Sequence, residues 1–169
     1  MLKELERLRV PVDAIAGTSM GSVVGGLYAI GMSPQAIEQE IRRIDWDEIF
    51  QDKPNREDRS FRRKTDDWLY LFKAKPGFNN GKVEVPLGVV HGQKFDLELS
   101  RLTQGVALIK DFDQLPIPFR AVAANLETGH EVVLHEGSLA RSIRASMAVP
   151  GAFDPVEIND MILVDGGIA

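Results

Sequence analysis

The sequence predicts an α/β domain in which helices are layered on a sheet, a three-layer α/β arrangement, and three observations carry that prediction. Short apolar runs of strand type alternate along the chain with amphipathic or small-residue helical patterns. A glycine-rich stretch, Gly17-Thr18-Ser19-Met20-Gly21, stands between one such strand and one such helix. The composition, 44% hydrophobic and 27% charged, is that of a globular chain and not of a disordered or fibrous one.

In chain order, Leu2, Leu5 and Leu8 recur at helical spacing among charged residues until Pro11 stops the helix. Val12 to Ala16 reads as a short strand. The small, apolar run from Ser22 to Ile30 reads as a buried helix ended by Gly31, in which Gly25 and Gly26 allow close approach. Ser33-Pro34 then supplies an N-cap and a first-turn proline for a helix to about Ile44. Residues 51–67 are almost wholly polar and read as a loop, rich in arginine between Arg56 and Lys64.

Trp68, Tyr70, Phe72 and Phe78 follow, and Asn79-Asn80-Gly81 is a tight-turn signal for a small hairpin running into Lys82 to Val90. A helix from about Gln93 to Gln104 carries Phe95, Leu99 and Leu102 on one face. Pro116 and Pro118 lead into a strand from Phe119 to Ala124, and Glu131 to Leu134 gives another. Ser138 caps a helix to about Ala148, broken by Pro150-Gly151, on which Arg141 and Arg144 are expected at the surface. The last unit is a hairpin, Val156 to Ile158 and Met161 to Val164, turned at Asn159-Asp160 and ending on Asp165-Gly166-Gly167.

Bulk properties narrow the function. The 169 residues fit one domain, and a net charge of −5 gives no electrostatic reason to expect nucleic acid as a partner. The absence of cysteine excludes disulfides, thiolate catalysis and zinc–thiolate sites, and leaves the compartment open. The nearly uncharged stretch from Gly17 to Met32 is too broken by glycines and serines to read as a spanning helix.

Gly17-Thr18-Ser19-Met20-Gly21 matches Gly-x-Ser-x-Gly with a strand before it and a helix after it, the context a nucleophile elbow requires. Glycines at 17 and 21 leave room for the chain to fold back, so that Ser19 Oγ stands above the sheet. The helix start aims its free N–H groups at the same place, and the Met20 N–H is positioned to donate to an oxyanion. A plain turn in which Ser19 only caps a helix is the bland alternative. A phosphate loop is excluded, because neither Gly-Lys-Ser/Thr nor Gly-x-Gly-x-x-Gly is present. A serine also needs a base: no histidine follows Asp165, so a histidine triad would have to combine Asp113 with His135, while His91 and His130 complete the candidates.

The elbow, the block Arg144-Ala145-Ser146-Met147-Ala148-Val149-Pro150-Gly151-Ala152-Phe153 and Asp165-Gly166-Gly167 resemble, in order, three blocks of the patatin-like phospholipase family. Phe119 to Gly129 is similar to the segment between them. The resemblance implies a three-layer α/β/α core related to the α/β-hydrolases, a Ser19–Asp165 dyad, and hydrolysis of phospholipids or other acyl esters with no metal or organic cofactor. Asp-Gly alone is an ordinary turn; the linked blocks favour the dyad. A free aspartate, with a pKa of about 3.9, is a weak base at neutral pH, so such a site must compensate through burial and oxyanion stabilisation.

Family members carry a first strand and a glycine-rich oxyanion loop ahead of a helix similar to Leu2 to Leu8. The sequence opens at that helix and closes just after Asp165-Gly166-Gly167, so the expectation is one incomplete domain, 1–169, truncated at both ends. A truncated, inactive scaffold domain is therefore a further alternative. Arg56 to Lys64 beside Trp68 to Phe78 has the composition of a peripheral membrane patch, although a solvated loop is the simpler reading.

Overall fold

A computed structural model of the chain describes residues 1–46, 49, 77–79, 82–84 and 92–169. The expected loop over 51–67 and the basic and aromatic positions from Arg56 to Tyr70 lie outside these residues. Helix α1 covers Leu2–Arg7, β1 Ile15–Thr18, α2 Met20–Ala29 and α3 Pro34–Arg43. Short strands β2 (Gly77–Asn79) and β3 (Lys82–Glu84) form the expected antiparallel hairpin. Then come α4 (Gln93–Thr103), β4 (Phe119–Asn125), β5 (Glu131–Leu134), α5 (Leu139–Ser146), β6 (Val156–Ile158) and β7 (Met161–Asp165).

Local chemistry accounts for most boundaries. Ser33 Oγ accepts the Ala36 N–H at 3.3 Å with Pro34 in the first turn, so α3 starts where its cap dictates. Ser138 Oγ does the same for α5 through the Arg141 N–H. Gly31 leaves α2 with φ of 93°, a conformation in which a side chain is strained. Asn159 and Asp160, with φ of 52° and 59°, make the two-residue turn whose twist suits a β6–β7 hairpin.

One boundary differs from expectation. Strand β1 begins at Ile15 and not at Val12, although the apolar pattern starts earlier. It pairs in parallel with β4, Ile15 opposite Phe119, and extending that register backwards would set residues 12–14 beside Pro116 and Pro118. Prolines have no N–H to give to a ladder, so pairing stops there.

The sheet is mixed, with order β1-β4-β7-β6 and β5 also on β4, and it is flanked by helices, consistent with a three-layer α/β/α core. Its pairing has one consequence for everything that follows. Ala121 lies opposite Gly17 on one edge of β4 and Leu134 on the other, and Ala123 lies opposite Asp165 and Val132. A strand has two edges, so β1 and β7 share one edge end to end while β5 takes the other. β1 runs parallel to β4 and stops at Thr18 beside Val122; β7 runs antiparallel and stops at Asp165 beside Ala123. The carboxyl ends of β1 and β7 therefore meet head to head.

Helices α2 and α5 pack on the sheet, and α4 packs on α5. Alternate β4 residues Phe119, Ala121 and Ala123 are fully buried, and the ring of Phe119 lies against Gly25 and Gly26 of α2. A Cβ at Gly25 would come within 2.8 Å of Ile15 Cγ2, and one at Gly26 within 2.7 Å of Ile143 Cδ1, so both glycines do allow close approach. Phe95 and Phe153 stack with ring centres 6.0 Å apart under α4, and Phe112 meets Phe119 at 6.3 Å. Among the described residues no helix is long and apolar enough to cross a membrane.

Candidate active site

At the end of β1 the chain turns sharply into α2, and Ser19 sits in that turn with φ 53° and ψ −128°. A non-glycine residue in such a region costs on the order of 1–3 kcal/mol and persists only when its surroundings impose it. Those surroundings are visible. The Ser19 N–H donates to Ser146, to its carbonyl at 3.2 Å and to its Oγ at 3.1 Å. The Ser19 carbonyl accepts from Ser22, from Oγ at 2.7 Å and from the N–H at 2.9 Å. The peptide groups on both sides of the strained residue are thus held by buried serines.

The two motif glycines are unequal. A Cβ at Gly17 would stand 2.5 Å from the Gly21 carbonyl oxygen and 2.7 Å from the Ser22 nitrogen, which backbone cannot yield. At Gly21 a Cβ would meet nothing within 4 Å, so the expectation that both glycines make room holds for Gly17 alone. Met20, 40% exposed, opens α2, and among the described residues neither its N–H nor that of Gly21 is taken by a backbone hydrogen bond.

Asp165 ends β7 and is 5% exposed. Its Oδ1 accepts the Gly167 N–H at 2.7 Å, and its own N–H donates to the Ala148 carbonyl at 2.9 Å. The glycines after it serve contact and not flexibility: neither has a positive φ, and a Cβ on Gly166 would lie 2.6 Å from the Val122 oxygen and 3.1 Å from Thr18 Cγ2. Gly166 is the residue at which the ends of β1 and β7 abut.

The two histidines among the described residues lie elsewhere. His135 follows β5 on the opposite edge of β4, past the pairing of Leu134 with Ala121. Two strand spacings of about 4.8 Å and three residues of about 3.3 Å put it roughly 14 Å from Ser19. Its suggested partner Asp113 is engaged by Arg120, Nη1 to Oδ1 at 2.7 Å and Nη2 to Oδ2 at 3.0 Å, a bidentate pair that holds the carboxyl below its usual range. His130 is exposed in the β4–β5 turn, and His91 lies outside the described residues.

Two residues differ from what the sequence alone predicts. Arg141 is exposed as expected, but Arg144 is 3% exposed, a correction to its expected place on the helix surface. Its guanidinium lies 4.8 Å over the Phe153 ring, donates to the Asp154 carbonyl at 3.2 Å and pairs with Asp96 at 3.3 Å. Residues 142–148 of α5 and its end are all buried, which leaves no polar face for it to occupy. The sequence alone gives Ser146 no role, although it touches the site turn directly; the signal is its place among the small residues Ala145, Ser146 and Ala148, where a helix end packs closely on its neighbours.

Fold and site together define a patatin-type α/β protein. The chain belongs to the patatin-like phospholipase family, whose pattern matches residues 1–169. It is similar to an uncharacterized NTE family protein of Mycobacterium tuberculosis, 31% identical over 99% of this chain and 38% of that protein. It is also similar to lysophospholipase NTE1 of Candida albicans, 30% identical over 99% of this chain and 10% of that protein. The corresponding protein of Cryptococcus neoformans is 30% identical over 99% of the chain and 9% of its own length. The chain thus spans 38% or less of the curated relatives it matches.

Proposed function

We propose that the protein is a serine hydrolase of acyl-lipid esters, of the lysophospholipase type named for its fungal relatives, working through a Ser19–Asp165 dyad. The observation that supports this reading is the head-to-head meeting of β1 and β7 on one edge of β4, where Thr18, the residue before the strained Ser19, and the buried Asp165 occupy adjacent register positions. Family membership supports the lipid ester class.

In this mechanism Asp165 accepts the proton of Ser19 Oγ as that oxygen attacks the ester carbonyl. The tetrahedral intermediate collapses with loss of the alcohol, which takes the proton from Asp165, and leaves an acyl group on Ser19. Water then attacks the acyl-enzyme, giving its proton to Asp165, and the fatty acid leaves as the proton returns to Ser19. The uncommitted Met20 N–H, at the positive end of α2, is the elbow's contribution to the oxyanion hole.

The test is p-nitrophenyl ester turnover by the full-length protein and its Ser19→Ala, Asp165→Asn and doubly substituted variants. Each single change reduces turnover to near background and the double change is no worse, because the pair acts as a unit. A fluorophosphonate labels Ser19, its Oγ–P bond forming as fluoride leaves, and peptide mapping locates the adduct. Turnover that survives Asp165→Asn and is lost in His135→Ala would overturn the dyad.

A further inference from the structure

The end of α5 and the two residues after it are tied to both proposed catalytic residues. The Ser146 carbonyl and Oγ take the Ser19 N–H at 3.2 and 3.1 Å, and two residues on, the Ala148 carbonyl takes the Asp165 N–H at 2.9 Å. The Ser146 hydroxyl does one thing more: it donates to the Val122 carbonyl at 2.6 Å. Val122 is the last β4 residue paired with β1, through Thr18, and the next residue, Ala123, pairs with Asp165. A serine near a helix end ordinarily returns its hydroxyl to a carbonyl one turn back; this one reaches across to the sheet, at the step where one strand stops and the other begins.

We infer that Ser146 is a positioning residue, whose fully buried hydroxyl fixes the spacing between Ser19 and Asp165 by clamping the Ser19 N–H to the Val122 carbonyl. The inference rests on the dyad reading above and assigns no chemistry to Ser146 itself.

The physical reason is geometric. Ser19 is held at a φ of 53° against its own preference, so its Oγ points where the hydrogen bonds on its peptide groups direct it. Ser22 constrains the carbonyl side from within α2, the element Ser19 opens, and so cannot report where Asp165 is. Ser146 constrains the N–H side from the last residue of α5, and the chain just past that helix end holds Asp165 through Ala148. Its hydroxyl is the one group among the described side chains that bonds both to the Ser19 turn and to β4 at the seam. Removing it leaves the carbonyl contact to Ser19 in place and frees the turn to shift relative to β7. Proton transfer needs donor and acceptor within hydrogen-bond reach, so a small displacement is paid in rate and not in ground-state binding.

The experiment measures kcat and KM on a p-nitrophenyl ester for the full-length protein and for Ser146→Ala, Ser146→Cys, Thr103→Ala and Ser19→Ala. Thr103 is the control for a buried hydroxyl: it donates to the Leu99 carbonyl at 2.8 Å within α4, away from the site. The expected result is a kcat about 10- to 100-fold lower in Ser146→Ala with KM within twofold, a smaller loss in Ser146→Cys, whose thiol keeps a weak donor and acceptor, and an unchanged kcat in Thr103→Ala. Wild-type kcat in Ser146→Ala beside a dead Ser19→Ala overturns this inference and leaves the dyad standing. An active Ser19→Ala overturns the dyad itself. If Ser146→Ala does not fold, Ser146→Cys carries the test, and a wild-type kcat there overturns the inference in the same way. An equal loss in Thr103→Ala would mean that the rate reports stability and not position, and would overturn it too.

Discussion

At the Ala123 end of β4, Asp165 is buried and its Oδ1 takes a single backbone N–H; at the Arg120 end, Asp113 has a side chain 52% exposed and gives both oxygens to one guanidinium. The sequence offers both as partners for a catalytic group, one beside a serine and the other beside a histidine. Their surroundings separate them. A bidentate arginine satisfies a carboxylate and holds it charged, which removes its use as a base, and Asp113 is held below the usual range in this way. Among the described residues Asp165 has no side-chain cation as a partner, and it stands at the seam where β7 meets the end of β1. The contrast teaches that candidate bases are sorted by what already occupies them as much as by which residue lies near.

The largest expected effect breaks or upholds that comparison directly. Asp165→Asn lowers kcat by about 10⁴-fold, the scale seen when an acid that orients or serves a nucleophile is neutralised, while Asp113→Asn stays within twofold of the parent. Steady-state turnover on one ester, run on both variants in parallel, decides it; a reversed ranking would move the site to the other end of β4.

The next effects concern the turn that faces Asp165. Gly17→Ala forces a Cβ to 2.5 Å from the Gly21 carbonyl oxygen, and rigid backbone on both sides makes this destabilising by about 3 kcal/mol. Gly21→Ala, with open space around its Cβ, is neutral or stabilising by about 0.5 kcal/mol in the first turn of α2. Urea unfolding of the pair checks the difference, and equal costs would show that the close approach at Gly17 relaxes freely. Ser19→Gly is expected to abolish turnover yet raise stability by about 1 kcal/mol, because glycine adopts a φ of 53° without the strain a side chain meets there. Ser19→Ala, which keeps its Cβ, gains nothing; a Ser19→Gly protein less stable than the parent would show that the turn is not strained.

Much of this was legible in the sequence, for reasons that are local. Ser33-Pro34, Ser138 and Asn159-Asp160 carry their own capping and turn chemistry, so α3, α5 and the β6–β7 hairpin fall where the residues put them. The positions of Ser19 and Asp165 were legible because glycines mark both turns, Gly17 and Gly21 around Ser19 just past β1, and Gly166-Gly167 after Asp165 at the end of β7. What escaped depends on partners far away in the chain. The start of β1 is set by prolines that precede β4, the burial of Arg144 by Asp96 on α4, and the role of Ser146 by a carbonyl on β4. No pattern within a few residues of these positions encodes such pairings; they arise only once the sheet has brought the elements together.

The smallest expected effect tests the other pole of the comparison. Arg120 lowers the Asp113 carboxyl chiefly by hydrogen bonding, burial opposes it, and the charges of Arg120 and His135 add to the lowering. A carboxyl whose folded pKa is depressed contributes stability that is complete above its unfolded value, about 3.9, and disappears as pH falls through the lower folded value. Solvent reaches both partners, so screening keeps the contribution small, and it shrinks further in added salt. Asp113→Asn should therefore melt slightly below the parent at neutral pH and low salt, and the two melting curves should converge as the pH is brought below 3. Calorimetry across that range, at two salt concentrations, reads both trends. A gap that widened on acidification would mean that Asp113 is held protonated in the folded protein, and that Arg120 does not hold it charged.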